Sequence, residues 1–296
     1  MGTHDHAYDG QVVPYPKLRQ ALGIMMASVR RKRIVHGLIE VDVTEARQLM
    51  RAHKTQTGES LSLTAFIIAC VVRAVDEDKY LHACRKGGSH LILYDDVDVA
   101  TQVERDVGGQ KQPVTYILRA ANRKTLREIH DEIRAAQTIK AEKAWTVAST
   151  TQWILHVPIF LFRLPWSLFW WARGRYPSVQ KRFGGTIGVS AIGMFGSGGG
   201  WGIPLSYHTL DVTIGGIAVK PGIAQGQIAA REYLCVTLSF DHDIVDGAPA
   251  ARFVSRLREL LESASALADI AQPQPQPAVT AAFQYNDHAG VNDGAS

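Results

Sequence analysis

Two periodicities alternate along the chain, and their order constrains the fold more than any other feature of the sequence. Residues 37–43 and 233–240 alternate apolar and polar side chains, as strands with one buried face do. Residues 63–75 repeat apolar side chains at helical spacing behind Ser62, which is typical of a capped, buried helix. The same patterns predict further strands at 91–102, 113–118, 185–190 and 210–219, and helices at 18–33, 44–53, 122–144 and 249–262. This mixed order predicts a two-layer α/β (α+β) sandwich.

The composition excludes several classes of protein. The 296 residues are 46% hydrophobic, as in globular chains and unlike disordered or fibrous ones. Their net charge of +4 is too weak to predict nucleic-acid binding. Cys70, Cys84 and Cys235 lie far apart without a CxxC pair. We therefore expect reduced thiols, no disulfide framework and no metal, in a cytoplasmic protein.

Both ends of the chain have the composition of tails. Residues 1–14 are polar and lack the order of a signal peptide, and the chain from 266 onward is rich in alanine, glutamine and proline. We therefore predict disordered tails at 1–14 and 266–296 around one folded domain at 15–265.

The run SFDHDIVDG at 239–247 carries the candidate chemistry. It lies where the strand at 233–240 ends and the last helix is about to begin, so its side chains can project into a crevice. Histidine is the side chain that takes and returns a proton near neutral pH, which makes His242 a candidate base. Asp246, four residues on, can hold the ring or brace the turn. The same spacing also fits a purely structural pair, with His242 at the strand end and Asp246 as a helix cap.

This run resembles the S-x-D-H-R-x-x-D-G hallmark of the 2-oxoacid dehydrogenase acyltransferase catalytic domains, the dihydrolipoamide acyltransferase cores. Five other stretches are similar to that family and occur in its order: IEVDVTEARQLM, LSLTAFIIACVVRAV, DVDVATQVE, KTLREIHDEIRAA and GGTIGVSAIGMFG. The resemblance implies that 15–265 is an acyltransferase domain with a chloramphenicol-acetyltransferase-like fold, a mixed sheet with helices on one face. It also implies a homotrimer whose active sites lie between subunits, where coenzyme A and a dihydrolipoyl thiol enter from opposite sides.

The resemblance also implies roles for individual residues. His242 corresponds to the general base that deprotonates the attacking thiol, and Ser190 to the serine that hydrogen-bonds the tetrahedral oxyanion, with the two supplied by different subunits. Asp246 corresponds to the structural aspartate of the motif. We expect Ser239, His208 and Gly193 to contribute to substrate binding, although for His208 a position in a surface loop is the alternative.

The chain departs from the family pattern at three places near the site. Asp243 replaces the arginine that usually follows the histidine, and we expect its carboxylate to point to solvent. If it pointed to the ring it would favour imidazolium and weaken the base. Met25 stands where the first helix commonly has an arginine, for which Arg19 or Arg30 could substitute. Residues 207–209 replace an Asn-Pro-Pro stretch, which leaves acyl specificity open.

Two further differences concern partners. We expect no lipoyl domain, so a lipoyl group would come in trans from a carrier protein. The alternatives are an acyltransferase to a small hydroxyl or amine, and a catalytically inactive trimeric scaffold or membrane-edge adaptor.

An apolar, Trp-rich insertion is predicted at about 144–183. We expect it to pack as a hairpin on the trimer or over the tunnel mouth, with peripheral membrane contact through residues 153–171 as the alternative. The polar C-terminal region predicts an isolated trimer without a cage-forming tip.

Overall fold

The computed structural model describes residues 3–4, 11–13, 15, 32–107, 110–138, 168, 171–172, 175–193 and 198–271. Its strands are β1 (Thr3–His4), β2 (Gln11–Val12), β3 (Ile34–Asp42), β4 (Cys84–Lys86), β5 (His90–Ile92), β6 (Val99–Val107), β7 (Gln110–Leu118), β8 (Ile187–Ala191), β9 (Leu210–Ala224) and β10 (Gln227–Asp241). Its helices are α1 (Thr44–Thr57), α2 (Leu63–Asp76), α3 (Leu126–Thr138), α4 (Pro177–Gly184), α5 (Gly247–Glu262) and α6 (Ser265–Ala271).

Six strands form one mixed sheet in the order β3-β10-β9-β8-β6-β7. Strand β8 runs parallel to both of its neighbours, β6 and β9, and the other three pairs are antiparallel. Because β8 joins the sheet between two strands that are distant in sequence, it carries the segment around Ser190 into the middle of the sheet. The predicted mixed sheet is confirmed.

The helices cover one face of this sheet. Alternate residues of β10, among them Leu234, Val236 and Leu238, are buried in one core cluster with Phe66 and Ile67 of α2. Burying a side chain of this size contributes roughly 1.5–3 kcal/mol. The α2 helix starts as predicted, since the Ser62 hydroxyl accepts the Ala65 N–H at 3.2 Å. The two-layer sandwich with helices on one face is therefore confirmed.

A glycine-rich covering segment, residues 198–209, crosses the opposite face of the sheet. A Cβ added to Gly202 would lie 2.0 Å from Ile192 Cδ1, and one added to Gly199 would lie 3.1 Å from Ala218 Cβ. The indole Nε1 of Trp201 donates to the Ile39 carbonyl at 3.1 Å. The segment can lie this close to the strands because several of its residues have no side chain.

The structure differs from the sequence-based expectations at three places. The strand predicted at 91–102 is divided, because β5 pairs with β4 while β6 begins at Val99 in the main sheet. The boundary at 265 is wrong, because α6 continues to Ala271 and its Leu267 is buried in the core. The disordered 1–14 tail is also wrong in part, since β1 and β2 pair with each other.

Parts of the predicted helix at 18–33 and of the predicted insertion at 144–183 lie outside the described residues. At the end of the insertion, α4 begins with Pro177 in its first turn, a position where the missing N–H of proline costs nothing. Among the residues that the structure describes, no helix is both long and apolar enough to cross a membrane.

Candidate active site

Ser190 lies on β8 with its side chain on the face opposite the helices. Its neighbours Ile187 and Val189 are buried in the core, so the alternation of a strand turns Gly188 and Ser190 the other way. Ser190 is partly exposed and pairs in register with Thr213 of β9, which in turn pairs with Thr237 of β10. Three hydroxyl side chains therefore form a row across three neighbouring strands.

Two members of this hydroxyl row have no hydrogen-bond partner among the residues that the structure describes. The Oγ1 atoms of Thr213 and Thr237 are buried and unpaired among the described residues, and Thr237 is fully buried. Sequence reasoning did not single out either residue. One sequence signal was present: both threonines alternate with core residues of their strands, which places their side chains on the face away from the helices.

His242 is the first residue after β10 and is exposed. Its N–H donates to the Arg33 carbonyl at 2.8 Å, which attaches it to the start of β3. A tight turn follows, in which the Asp241 carbonyl accepts the N–H groups of Ile244 and Val245, each at 3.0 Å. The turn ends at Asp246, the N-cap of α5, whose side chain makes no capping hydrogen bond. The cap alternative for Asp246 therefore applies to its backbone position only.

Within one chain, Ser190 and His242 are not adjacent. Ser190 is level with Thr237 in the sheet, and His242 follows Thr237 by five residues toward the end of β10. At 3.3 Å per residue this offset amounts to roughly 16 Å along the strands. One subunit therefore does not bring the predicted base and the predicted oxyanion donor together.

Asp243 is held by two arginines. Its Oδ1 pairs with Arg33 and its Oδ2 lies 3.4 Å from Arg85 Nη1, and the side chain is 22% exposed. Asp243 lies at the surface, as expected, and guanidinium groups from two distant segments bind its two oxygens there. Met25, Arg19 and Arg30 lie outside the described residues.

His208 is buried, so the surface-loop alternative is wrong. Its Nδ1 lies 2.6 Å from Asp211 Oδ1 and its Nε2 lies 2.7 Å from the Gly184 carbonyl oxygen. A carbonyl oxygen only accepts hydrogen bonds, so Nε2 donates to Gly184 and Nδ1 is the atom that pairs with the Asp211 carboxyl group. Burial acts to raise the pKa of Asp211, but the charge and hydrogen bonds of His208 outweigh it and lower this pKa. Both nitrogens of His208 are thus used within the chain.

Ser239 and Gly193 occupy different parts of the same face. Ser239 is fully buried, and its hydroxyl is 2.8 Å from His36 Nδ1 on the edge strand β3. Gly193 follows β8, where an added Cβ would lie 1.9 Å from the Gly215 carbonyl oxygen. Together with Trp201 and other glycines it lines a cleft of about 170 Å³ that starts two residues beyond Ser190.

A cluster of Glu59, His130 and Asp131 has the spacing of metal ligands but not their chemistry. The Ser62 N–H donates to His130 Nδ1 at 3.1 Å, so the proton of a neutral ring is on Nε2, the atom that faces Glu59. A metal-bound histidine has the opposite arrangement, with its free nitrogen as a donor. The hydrogen bond from Arg127 also lowers the pKa of Glu59 to about 2. This carboxylate already has a cationic partner.

Comparisons with known proteins agree with this architecture. The family model described as 2-oxoacid dehydrogenases acyltransferase (catalytic domain) matches residues 8–152 and 172–268. The unmatched residues between these ranges, 153–171, coincide with the Trp-rich apolar stretch.

Curated relatives and solved structures point the same way. The lipoamide acyltransferase component of the branched-chain alpha-keto acid dehydrogenase complex of Pseudomonas aeruginosa is 28% identical over 271 residues, which are 88% of this chain and 54% of that protein. The chain thus spans about half the length of that curated relative.

Among solved structures, the dihydrolipoamide acetyltransferase of Azotobacter vinelandii matches with a TM-score of 0.64 and 18% identity over 90% of this chain and 98% of that one. The cubic core of the pyruvate dehydrogenase multienzyme complex matches with a TM-score of 0.63 and 17% identity, over the same shares of the two chains. At these identities the two structures show a shared fold. Because the family model matches most of the residues of this chain, the chain belongs to the 2-oxoacid dehydrogenase acyltransferase catalytic domain family.

Proposed function

We propose that this domain transfers an acyl group between coenzyme A and a thiol such as that of dihydrolipoamide, with His242 as general base and Ser190 as oxyanion donor. The spacing of these residues carries the proposal. In the Azotobacter vinelandii enzyme, the residues whose role in the catalytic mechanism was investigated are a serine, a histidine 52 residues later and an asparagine four residues after that. Ser190, His242 and Asp246 have the same two intervals, with an aspartate at the last position.

The chemistry needs only these few groups. The neutral imidazole of His242 takes the proton of the attacking thiol, and the sulfur adds to the thioester carbonyl. The negative charge that develops on the carbonyl oxygen accepts a hydrogen bond from the Ser190 hydroxyl, a contact that can lower such a barrier by roughly 3–4 kcal/mol. When the intermediate collapses, the leaving sulfur takes the proton back from the imidazolium. A thiol has an ordinary pKa near 8.5, so one imidazole suffices and no nucleophile on the protein is required.

The offset of roughly 16 Å between Ser190 and His242 supports a site shared by two subunits. Reacting atoms must approach to about 3–3.5 Å, which these two residues of one chain cannot do around a single carbonyl. In the proposed homotrimer, Ser190 of one subunit and His242 of its neighbour line one site. Coenzyme A and the lipoyl thiol, brought by a carrier protein, enter it from opposite sides.

Turnover by the purified full chain tests the proposal. Acetyl-, propionyl- or branched acyl-CoA is mixed with dihydrolipoamide, and free coenzyme A is followed. We expect turnover with at least one donor and its loss in His242→Ala, while His90→Ala serves as a matched control because His90 is an exposed histidine on β5. Full activity in His242→Ala, or no turnover with any donor, would contradict the proposal.

The same purified protein can be used to identify the class of acceptor and to test whether the chain is an inactive scaffold. A screen of small hydroxyl and amine acceptors that releases coenzyme A faster than dihydrolipoamide does would move the assignment to that class. Calorimetry with coenzyme A separates both enzymes from a scaffold, because a catalytically inactive trimer need not bind it.

A further inference from the structure

Two consecutive basic residues pair with the two acidic residues that flank His242. The Lys32 ammonium lies 2.9 Å from Asp241 Oδ2, and the Arg33 guanidinium pairs with Asp243 Oδ1. The Arg33 carbonyl also accepts the His242 N–H at 2.8 Å. We propose that Lys32 and Arg33 are positioning residues that fix the turn carrying His242. This inference rests on the proposed function, in which His242 is the base.

Lys32 acts through Asp241. The Asp241 side chain is only 5% exposed, and its two oxygens have different partners. Oδ2 faces Lys32, whereas Oδ1 accepts the N–H of Asp243 at 3.3 Å. The Asp241 carboxylate therefore links the residue before His242 to the backbone of the residue after it, Asp243. Burying a carboxylate is costly without a cationic partner, and Lys32 is that partner for Asp241.

Lys32 also connects this turn to the covering segment. Its ammonium donates to the His208 carbonyl at 3.2 Å, and the Asp241 N–H donates to the Thr209 carbonyl at 2.9 Å. The start of β3, the end of β10 and the residues before β9 thus meet at one ammonium group. Replacing Lys32 would remove the side-chain contacts that join these three segments and leave only their backbone hydrogen bonds.

Arg33 acts on the other side of the histidine. Asp243 places a negative charge where the family motif has a positive one, directly after His242. Arg33 and Arg85 each bind one oxygen of that carboxylate, so the negative charge is compensated locally. The Arg33 side chain is 80% exposed, and such pairs contribute little to global stability. Its replacement should therefore leave the fold intact and alter the turn.

The test uses Lys32→Met and Arg33→Gln in the full chain, with Lys32→Arg as the conservative variant. Lys79→Met is the matched control, because it removes a lysine–aspartate pair of 2.6 Å, Lys79–Asp95, whose two residues lie outside the turn that carries His242. The readouts are kcat and KM with acyl-CoA and dihydrolipoamide, and the His242 ring resonance in NMR, assigned by its loss in His242→Gln.

We expect Lys32→Met to lower kcat by about 10-fold to 100-fold with KM within about twofold, because a displaced base loses transition-state geometry and not substrate binding. Arg33→Gln should lower kcat less, by about 3-fold to 10-fold on the same reasoning. Both should move the His242 resonance. Lys32→Arg should recover most of the activity, and Lys79→Met should match the wild type in both readouts.

Three outcomes separate the hypotheses. An unchanged His242 resonance in both Lys32→Met and Arg33→Gln would overturn the inference. So would a loss of activity no larger than the loss of folded protein, since a merely structural role predicts that. If the wild-type chain itself has no turnover, the proposed function fails, and the resonance of His242 in Arg33→Gln, a surface variant expected to fold, decides the positioning role alone.

Discussion

His208 and Asp211 form an ion pair 2.6 Å long on the face of the sheet that the helices leave uncovered. The carboxylate also accepts the N–H groups of Tyr207 and His208 through Oδ2, each at 3.2 Å. The Nε2 atom of His208 donates to the Gly184 carbonyl, just before β8. This buried pair therefore holds the start of β9 against the start of β8, in the segment where the family pattern has Asn-Pro-Pro.

Replacing one partner of the His208–Asp211 pair should lower the free energy of unfolding at neutral pH. The pKa of Asp211 is lowered in the fold, so its contribution is present above the unfolded value of 3.8 and is lost as pH falls through and below that value. We expect Asp211→Asn to reduce the free energy of unfolding by about 3 kcal/mol at pH 7 and by clearly less at pH 3, measured by urea denaturation. Asp95→Asn, at an 82% exposed side chain, is the control. An equal loss at both pH values would contradict the prediction.

His82 should make the fold sensitive to mild acid. Burial lowers its pKa to about 4 from 6.5, so the unfolded chain binds this proton more readily than the folded one. Stability is therefore lost as pH falls from 6.5 toward 4, by about 3 kcal/mol for this residue. His82→Gln should remove that part of the slope when urea unfolding is measured across this range. A slope as steep as in the wild type would show that His82 is not its source; His90→Gln, at an exposed site, should leave it unchanged.

The hydroxyl row offers a stabilising substitution. The Thr237 hydroxyl is buried and has no partner in the described part of the chain, so Thr237→Val should raise the free energy of unfolding by about 1 kcal/mol. Thr209→Val is the matched contrast, because the Thr209 hydroxyl donates to the Ala83 carbonyl at 2.5 Å and its loss should destabilise by about 1–2 kcal/mol. Destabilisation by Thr237→Val would mean that the hydroxyl has a partner, such as a bound water.

Gly188 should not tolerate a side chain. An added Cβ would lie 2.0 Å from Asp211 Oδ1 and 2.9 Å from His208 Nδ1, so Gly188→Ala must displace the His208–Asp211 pair. Gly188 is two residues before Ser190 on the same strand. We expect a loss of several kcal/mol in stability, of the order found for breaking a buried pair. Gly88→Ala meets no atom within 4 Å and should change stability by less than about 0.5 kcal/mol. Calorimetric melting of both variants checks this, and equal melting temperatures would refute the role of Gly188.

The elements that periodicity could predict are those with one clearly apolar face. The β3 alternation, the α2 helix and its Ser62 cap all follow from local sequence, and the structure has them. The length of the β9–β10 hairpin was underestimated, because its distal part leaves Ile223 and Ile228 about 80% exposed and so lacks the buried face that marks a strand. Leu267 was missed because a short helix docked on a core has little periodicity of its own.

The environments of the site residues were less predictable. Asp243 is bound by Arg33 and Arg85, which are far from it in sequence. No local pattern indicates that these three residues converge. Likewise, the buried His208 pairs with the backbone carbonyl of Gly184, 24 residues earlier, and no sequence pattern marks that carbonyl as its partner. Motif positions could therefore be named from the sequence, whereas the contacts that set their orientation depend on tertiary structure.

Mixing two inactive variants tests the shared site most directly. Ser190→Ala and His242→Ala are each expected to be impaired, and denaturing and refolding them together at equal amounts should produce mixed oligomers of the proposed trimer. If each site takes its serine from one subunit and its histidine from the next, about a quarter of the sites regain both residues, and activity should return to about a quarter of the wild type. Activity that stays at the level of the separate variants, in refolded trimers of the correct mass, would contradict a site shared between subunits.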